Sequence, residues 1–201
     1  MRTHTKVLHC AETIKGGIAS YLNILLDEQT KDFKAYKFSL IVPKSHMKEL
    51  NVNLNNEYNS FNDTKSRIVN SFKLTNSVLK KMREFKPDIV HIHSFFAGIF
   101  LRPLLFLFTN VKVVYCPHGW SFDRETNKFS SYISIVVEYL LSFFTHKIIC
   151  ISNHEKSLAG FIKNSEKKLA LIKNAVNIKK YINHNIEMVT DWPEKKVKLL
   201  F

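Results

Sequence analysis

The chain has 201 residues, of which 45% are apolar and 12% aromatic, and its formal net charge is +13. This length and composition predict one folded globular domain, and they exclude a disordered protein and two complete domains. The 25 lysines far outnumber the five arginines, although arginine is the residue that makes forked contacts with phosphates and bases. We therefore expect no nucleic-acid partner.

The first residues give no sign of a secretory leader, because residues 1–5 (MRTHT) run into an apolar stretch at 7–10 that is too short. The two longest apolar runs, at residues 95–108 and 132–144, are shorter than a membrane span. Both are predicted to be buried helices, with a role at a membrane surface as the alternative for either. The expected location is cytoplasmic, with peripheral attachment to the inner face of the membrane as an option.

Short apolar runs rich in Val and Ile alternate along the chain with longer segments of helical periodicity. This alternation is typical of βαβ units and predicts an α/β fold: a Rossmann-like, mainly parallel sheet with helices on both faces. Strands are predicted at residues 6–10, 37–42, 89–93, 112–116, 147–151 and 169–172.

The segment at residues 65–85 is predicted to form a helix that ends before Pro87, because the residue before a proline avoids the helical conformation. Its apolar face is predicted from spacings of three and four to consist of Ile68, Phe72, Leu79 and Met82. A basic patch on the same helix is formed by Lys73, Lys80, Lys81 and Arg83. We predict that this patch approaches an anionic membrane surface, and an ordinary solvated helix face is the alternative.

Gly16 and Gly17 lie between the first strand and its helix, within TIKGGIAS at residues 13–20. Missing Cβ atoms allow a tight turn and the close approach of a ligand, and free N–H groups at a helix start can bind an anion. The motif is neither GxGxxG nor a P-loop, so a plain strand-to-helix turn is an equal alternative.

The later strands run into polar segments that carry candidate site residues. These segments are PDIVHIHS at residues 87–94, VVYCPHGW at 113–120, IICISNH at 148–154 and KNAVN at 173–177. In an open parallel sheet the carboxyl ends of the strands line the ligand crevice, so the segments are predicted to meet there.

The order of a GG loop, PDIVHIHS, PHGW, ISN and KNAVN resembles the N-terminal half of the family-four retaining glycosyltransferases, which have the GT-B fold. The resemblance covers nearly the whole chain, from about residue 6 to residue 201. It implies two Rossmann-like domains that face each other across a cleft. The N-terminal domain would chiefly hold the acceptor, and the C-terminal domain would hold the nucleotide-sugar donor.

The resemblance also implies roles for residues at matching positions. Gly16 and Gly17 would lie beside the donor diphosphate or the acceptor, and His118 of the PHG motif would reach toward the transferred sugar. Gly119 belongs to the same donor- and acceptor-binding set, and Asn174 would lie near the hinge. For His118 the alternative is closure of the turn through a backbone contact.

Two further candidates follow from position. His93 is nearest the carboxyl end of its strand and is the candidate for the acceptor cleft, whereas Arg124 follows the PHG loop and could contact an anionic acceptor or simply be solvated. His91 and His93 lie two residues apart with no third ligand at a sensible spacing, so we expect neither a metal nor a cofactor. No catalytic residue is assigned.

The domain organisation is predicted from the resemblance and from the loss of periodicity near the C-terminus. Residues 1–183 are predicted to form the acceptor-side Rossmann-like domain, 184–195 an interdomain linker, and 196–201 the first strand of a missing C-terminal donor-binding domain. The chain is therefore predicted to be truncated before that donor-binding domain.

The predicted function is hexosyl transfer from a nucleotide-sugar to a polysaccharide or glycolipid acceptor. This chain would supply the acceptor-side half and be inactive alone, with a separately encoded C-terminal half as one candidate partner. The alternative is a non-catalytic module, left by gene truncation, that binds a glycan, a partner or a membrane surface.

Overall fold

The computed structural model describes residues 4–31, 35–51, 58–124 and 127–175. The predicted linker at 184–195 and the predicted strand at 196–201 lie outside these residues. The described strands are β1 (Thr5–Ala11), β2 (Tyr36–Pro43), β3 (Tyr58–Phe61), β4 (Ile89–His93), β5 (Lys112–Cys116), β6 (Lys147–Cys150) and β7 (Leu169–Leu171).

The seven strands form one sheet in the order β3-β2-β1-β4-β5-β6-β7, and each of its pairings is parallel. β1 lies between β2 and β4, so the direction in which the chain winds reverses there. In open α/β sheets the ligand crevice lies beyond the carboxyl ends of the strands at such a switch point. The predicted Rossmann-like α/β class is confirmed.

The helices cover both faces of the sheet. On one face, Leu22 and Leu26 pack against Leu40 of β2. On the other face, Leu74 and Leu101 belong to the larger core cluster. The described helices are α1 (Gly17–Lys31), α2 (Arg67–Phe85), α3 (Phe95–Phe108), α4 (Lys128–Ser142), α5 (Asn153–Leu158) and α6 (Ser165–Lys168).

Six of the seven strands were predicted to within one residue at each end, and β3 was missed. β3 has the sequence YNSF, and only Phe61 in it is buried. It lies at the edge of the sheet and pairs only with β2. A strand with three exposed residues carries no apolar run, and periodicity therefore gave no signal for it.

The apolar face predicted for α2 was wrong at Ile68 and Phe72, whereas Met82 packs against the larger core cluster. Ile68 and Phe72 are 54% and 55% exposed, whereas Leu74 and Val78 are fully buried. Phe72 instead packs at the side of the helix against Phe100 of α3, with ring centroids 4.6 Å apart. The buried face of the helix therefore runs through Leu74 and Val78, and Phe72 packs against the neighbouring helix instead.

The expectation of a buried helix at residues 132–144 was also wrong, because α4 exposes most of its apolar side chains. The buried residues of α4 are Glu138, Leu141 and Ser142. Its exposed apolar residues recur at spacings of three and four and form one face, which we call the α4 stripe: Phe129, Tyr132, Ile133, Val136, Tyr139, Leu140 and Phe143. Across the described part of the chain, no helix has the length and apolarity needed to cross a membrane.

A buried ion pair connects α3 to α4. Arg102 Nη2 lies 2.9 Å from Glu138 Oε2, and neither side chain is exposed. The hydroxyl of Tyr115 donates to Glu138 Oε1 at 2.9 Å, and the Arg102 guanidinium lies 3.8 Å from the centroid of the Tyr115 ring. The network therefore joins two helices to β5 within the larger core cluster.

Gly98 lies against this network, and replacing it with alanine is expected to lower the free energy of unfolding by about 1–3 kcal/mol. An added Cβ would lie 3.0 Å from Arg102 Nε and 3.0 Å from Tyr115 Cε2, so a buried group would have to shift. Urea denaturation measures the loss. Gly160→Ala is the matched control, since nothing lies within 4 Å of its Cβ position; an equal effect at both glycines would contradict the expectation.

Candidate functional site

A cleft of about 790 Å³ opens at the carboxyl edge of the sheet. Because all seven strands are parallel, their carboxyl ends meet at this edge, and each contributes a lining residue from the segment that follows it. In chain order these residues are Glu12, Ser45, Asp63, Ser94, Pro117, Ile151 and Asn174. Three more predicted site residues, Gly17, His118 and Arg124, line the same cleft.

The loop after β1 places Gly17 at the cleft and Gly16 beside it. Gly16 has a φ of +65°, in the left-handed region that favours glycine. Its carbonyl accepts from the Ala19 N–H at 3.0 Å, in the first turn of α1. Nothing lies within 4 Å of a Cβ at either glycine, so the start of this 15-residue helix is open to an anion.

The PHG loop after β5 has an unusual backbone. His118 has a φ of 54° and Gly119 a φ of 93°, both in the left-handed region, and a residue with a Cβ is strained there. The loop is held by the buried carboxylate of Glu155, which accepts from the Gly119 N–H at 2.5 Å and from the Ile151 N–H at 2.8 Å. Glu155 thereby fixes the backbone that presents His118 to the cleft.

The sequence analysis missed Glu155. Ser152 caps α5, and its hydroxyl accepts from the Glu155 N–H at 3.0 Å. The Ser-x-x-Glu pattern at residues 152–155 is a capping-box signal, and it could have predicted the helix start. It could not have predicted the contact with Gly119, which lies 36 residues away in the sequence.

Four histidines lie together at the cleft: His118 lines it, and His9, His91 and His93 are buried. His9 and His91 are register partners on β1 and β4, and His93 is two residues further along β4. His93 Nδ1 lies 3.0 Å from His118 Nε2, and His93 Nε2 lies 3.3 Å from His9 Nδ1. His93, predicted to line the cleft, is fully buried and reaches it only through His118.

Burial keeps these imidazoles neutral. It lowers the pKa of His9 and of His118 to about 4. Burial, with the other histidines nearby, lowers the pKa of His91 and of His93 well below the ordinary value. Each ring at neutral pH therefore has one N–H donor and one lone pair.

The structure places a third possible metal ligand beside His91 and His93, for which the sequence spacing had indicated none. His9, His91 and His93 bring ligand atoms within 4.8 Å of one another. His9 is adjacent in the sheet but 82 residues away from His91 along the chain, so spacing could not reveal it. The absence of a metal remains a prediction.

Glu12 is a second functional candidate that the sequence analysis did not find. It is 1% exposed, lines the cleft and forms an ion pair with Arg67 of α2. The Ser94 hydroxyl lies 3.4 Å from Glu12 Oε1, whereas Oε2 is buried without a partner among the described residues. The only signal in the sequence was a polar residue directly after a buried strand.

The basic patch predicted on α2 lies on the described helix but away from the cleft lining. Lys73 Nζ donates to the carbonyl of Asn62 at 2.9 Å, and Lys81 Nζ lies 5.8 Å from the centroid of the Phe85 ring. Lys80 and Arg83 are exposed. Contact of the patch with a membrane remains a prediction.

The chain folds into a Rossmann-like α/β domain with a cleft at the carboxyl edge of its parallel sheet. The family model described as Glycosyltransferase Family 4 matches residues 15–180. The chain belongs to this family, which confirms the family indicated by the order of its motifs.

Two curated relatives match the sequence. One is an uncharacterized 41.2 kDa protein in the cps region of Klebsiella pneumoniae, 32% identical over 86% of this chain and 47% of the relative. The other is the UDP-Gal:alpha-D-GlcNAc-diphosphoundecaprenol alpha-1,3-galactosyltransferase of Escherichia coli, 28% identical over 57% of this chain and 30% of the relative. The chain thus spans about half, or less, of the length of these relatives.

The fold is also that of solved GT-B-like transferases. The lipopolysaccharide outer core galactosyltransferase WaaB, in its apo form, superposes with a TM-score of 0.59 at 14% identity. The match covers 86% of this chain and 46% of WaaB. At this identity the likeness supports the fold alone.

Proposed function

We propose that the chain supplies the acceptor-side half of an enzyme that transfers a hexosyl group from a nucleotide-sugar to a glycan or glycolipid. One observation carries the proposal: in a chain of this family, the PHG loop presents His118 to the same cleft as Gly17 at the start of α1. The E. coli relative is named for a UDP-Gal donor and a diphosphoundecaprenol-linked acceptor, which supports the same two substrate classes here.

The charge of the cleft suits an acceptor that carries a diphosphate. Arg67 is paired with Glu12, and Asp63 accepts from the hydroxyl of Ser45 at 2.7 Å. The remaining cations that line the cleft are exposed: Lys15, Lys65 and Arg124. Exposed cations at the mouth of a cleft attract an anionic ligand and orient its phosphates.

The chemistry of the cleft fits group transfer from a nucleotide-sugar. Negative charge grows on the leaving diphosphate in the transition state, and the N–H groups at the start of α1 can stabilise it. Gly16 and Gly17 leave this position open. His118 would hydrogen-bond a hydroxyl of the transferred sugar, and Arg124 would contact the acceptor phosphates. Asn174, which also lines the cleft, would lie near the hinge.

The donor-binding half in this proposal lies outside the 201 residues. The relatives are at least about twice as long as the segment matched here. The second half would follow residues 184–195 as a linker in a longer polypeptide, with 196–201 as its first strand, or it would be a separately encoded chain. The chain alone would bind the acceptor without transferring sugar to it.

Arg124→Gln tests the cleft. The probe is a water-soluble N-acetylglucosamine diphosphate with a short prenyl chain, titrated calorimetrically into the purified chain. Loss of one hydrogen bond between the guanidinium and an acceptor phosphate is expected to weaken binding by about tenfold. The control is Lys156→Gln, which removes an exposed cation outside the cleft lining. Equal affinity of the wild type and Arg124→Gln would refute the assignment of Arg124 to the acceptor.

We further propose that the protein docks on an anionic bilayer through the α4 stripe. Phe129 and Tyr132 are 74% and 66% exposed, and their apolar area has no cover among the described residues. Cations lie beside the stripe: Lys128 begins α4, and Lys168 Nζ lies 5.9 Å from the centroid of the Phe143 ring. An apolar helix face beside cations is typical of helices that lie in the interface of anionic membranes.

Sedimentation with vesicles tests both membrane surfaces. The variant F129S/I133S/L140S should abolish most binding to vesicles of anionic and neutral lipid, because the apolar contact is lost. Lys80→Gln with Lys81→Gln should weaken binding about 30-fold in anionic vesicles only, since each nearby cation contributes on the order of 1 kcal/mol. Unchanged binding of the triple variant would reject the α4 stripe, and a change of oligomeric state in light scattering would assign the stripe to a protein contact.

A further inference from the structure

An unbroken chain of hydrogen-bonding groups runs from helix α1 to the cleft. Gln29 Oε1 lies 3.0 Å from His9 Nε2. His9 Nδ1 lies 3.3 Å from His93 Nε2, and His93 Nδ1 lies 3.0 Å from His118 Nε2. His9 and His93 are fully buried, so water does not compete for the contact between them, whereas Gln29 and His118 at the two ends are partly exposed.

The amide oxygen of Gln29 sets the direction of every hydrogen bond in this series of four side chains. An amide oxygen only accepts, so His9 must carry its proton on Nε2 and leave a lone pair on Nδ1. That lone pair requires a donor, which places the proton of His93 on Nε2. The lone pair left on His93 Nδ1 in turn requires the proton of His118 on Nε2.

We propose that Gln29, His9 and His93 are positioning residues that hold His118 in one tautomer, with a bare Nδ1 that accepts a hydrogen bond from a substrate hydroxyl. The proposal rests on the proposed function. It is supported by His118 Nδ1 itself, which is buried and has no partner among the described residues. Among the ring nitrogens of His9, His93 and His118, it is the one without a partner in the described structure, and its lone pair can accept from a ligand.

The surroundings keep the four groups in this arrangement. The Tyr21 ring packs edge-on against His118 and at an angle to His93, with centroids 4.7 and 5.8 Å away. Burial lowers the pKa of His9 and of His118 to about 4, so the rings remain neutral and each keeps one donor and one acceptor. Hydrogen bonds in a low dielectric also polarise one another along a chain.

The tautomer determines which ligand His118 selects. A bare Nδ1 accepts from a hydroxyl but repels a ring oxygen, a fluorine or a phosphate oxygen at the same place. The opposite tautomer would donate to all of these acceptors. The proposed tautomer of His118 therefore requires a sugar hydroxyl opposite His118 Nδ1. A substrate in which fluorine replaces that hydroxyl should bind more weakly.

The proposal excludes a metal at the same atoms. His9, His91 and His93 bring ligand nitrogens close together, and Zn²⁺ would need lone pairs on three of them. In the proposed series of hydrogen bonds, His93 Nε2 carries a proton and donates it to the lone pair of His9 Nδ1. His93 Nε2 therefore has no lone pair with which to bind a metal. A bound metal and the proposed tautomers cannot coexist.

Nitrogen-15 NMR of the histidine-labelled 201-residue chain tests the proposal directly, because the coupling pattern of ring protons to nitrogens identifies each tautomer. In the wild type, His9, His93 and His118 should each carry the proton on Nε2, with about a tenfold preference over the other tautomer. Gln29→Leu should lower this preference at all three rings, whereas Gln29→Glu, which keeps an accepting oxygen, should preserve it. Glu28→Gln, an exposed neighbour on α1, is the control and should change nothing.

Two results would overturn the proposal: a proton on His118 Nδ1 in the wild type, or tautomer populations unchanged in Gln29→Leu. Binding of Zn²⁺ at one equivalent, lost in His9→Gln, would overturn it as well. None of these readouts involves sugar transfer, so failure of the tautomer chain is distinguishable from failure of the proposed function.

Discussion

Arg102→Met is expected to lower the free energy of unfolding by about 3–5 kcal/mol, because it leaves the carboxylate of Glu138 buried without its countercharge. Both side chains of the pair are inaccessible to solvent, and the groups in contact with Glu138 are Arg102 and the Tyr115 hydroxyl. A loss of this size is a large share of the stability of a typical domain. Urea denaturation followed by far-ultraviolet circular dichroism measures it.

A second substitution separates loss of the charge from loss of packing. Glu138→Gln keeps an oxygen that can accept from Tyr115 but removes the carboxylate charge. The double variant R102M/E138Q should therefore recover much of the loss, since no buried charge remains. Lys31→Met removes two exposed ion pairs, with Asp27 and with Glu28, and should leave the transition nearly unchanged. A single Arg102→Met variant as stable as the wild type would show that the pair is unimportant.

The chain is expected to lose several kcal/mol of stability between pH 6.5 and pH 4. The ordinary histidine pKa of 6.5 applies to the unfolded chain, whereas burial lowers the pKa of His9 and of His118 to about 4 in the fold. The unfolded state thus binds more protons in this window, and stability falls as pH falls. Each of the two histidines contributes roughly 3 kcal/mol to the loss at pH 4. His91 and His93 act in the same direction.

Urea denaturation at pH 7.5, 6, 5 and 4.5 measures this slope. His91→Phe keeps a ring of similar size but removes a buried group that cannot be protonated without cost, so it should flatten the slope below pH 6.5. Its Nε2 has no partner among the described residues, and little hydrogen bonding should be lost at neutral pH. His154→Gln replaces an exposed histidine outside the cluster and should retain the wild-type slope. The same slope in all three proteins would contradict the expectation.

The fold could be predicted where local pattern and tertiary burial agree. β1 and β4 are apolar runs of near-correct length, because central strands of a parallel sheet are buried on both faces. β3 failed this test, since an edge strand needs only Phe61 in the core. The apolar face of α2 and the burial of α4 were predicted wrongly for a related reason. Spacing gives a stripe of apolar residues, but it does not say whether the stripe meets the sheet, a neighbouring helix or the surface.

The candidate site could be predicted where its residues lie in the segments that follow strands. Gly17 and His118 follow β1 and β5, and the parallel topology brings them to the same cleft. The groups that orient them come from distant positions: Glu155 holds Gly119, and His9 holds His93. These contacts depend on strand order and side-chain direction, which one sequence without the fold does not contain.

The most direct measurement of the central claim is a transfer assay on the 201-residue chain, with the short-chain diphosphate-linked acceptor and a series of UDP- and GDP-hexoses, and with products detected by mass spectrometry. The acceptor-side account predicts no product from the chain alone, although the chain binds the acceptor in calorimetry and loses about tenfold in affinity in Arg124→Gln. Product formed by the chain alone, and abolished by His118→Ala, would contradict it, because the described half would then bind the donor and carry out the reaction by itself.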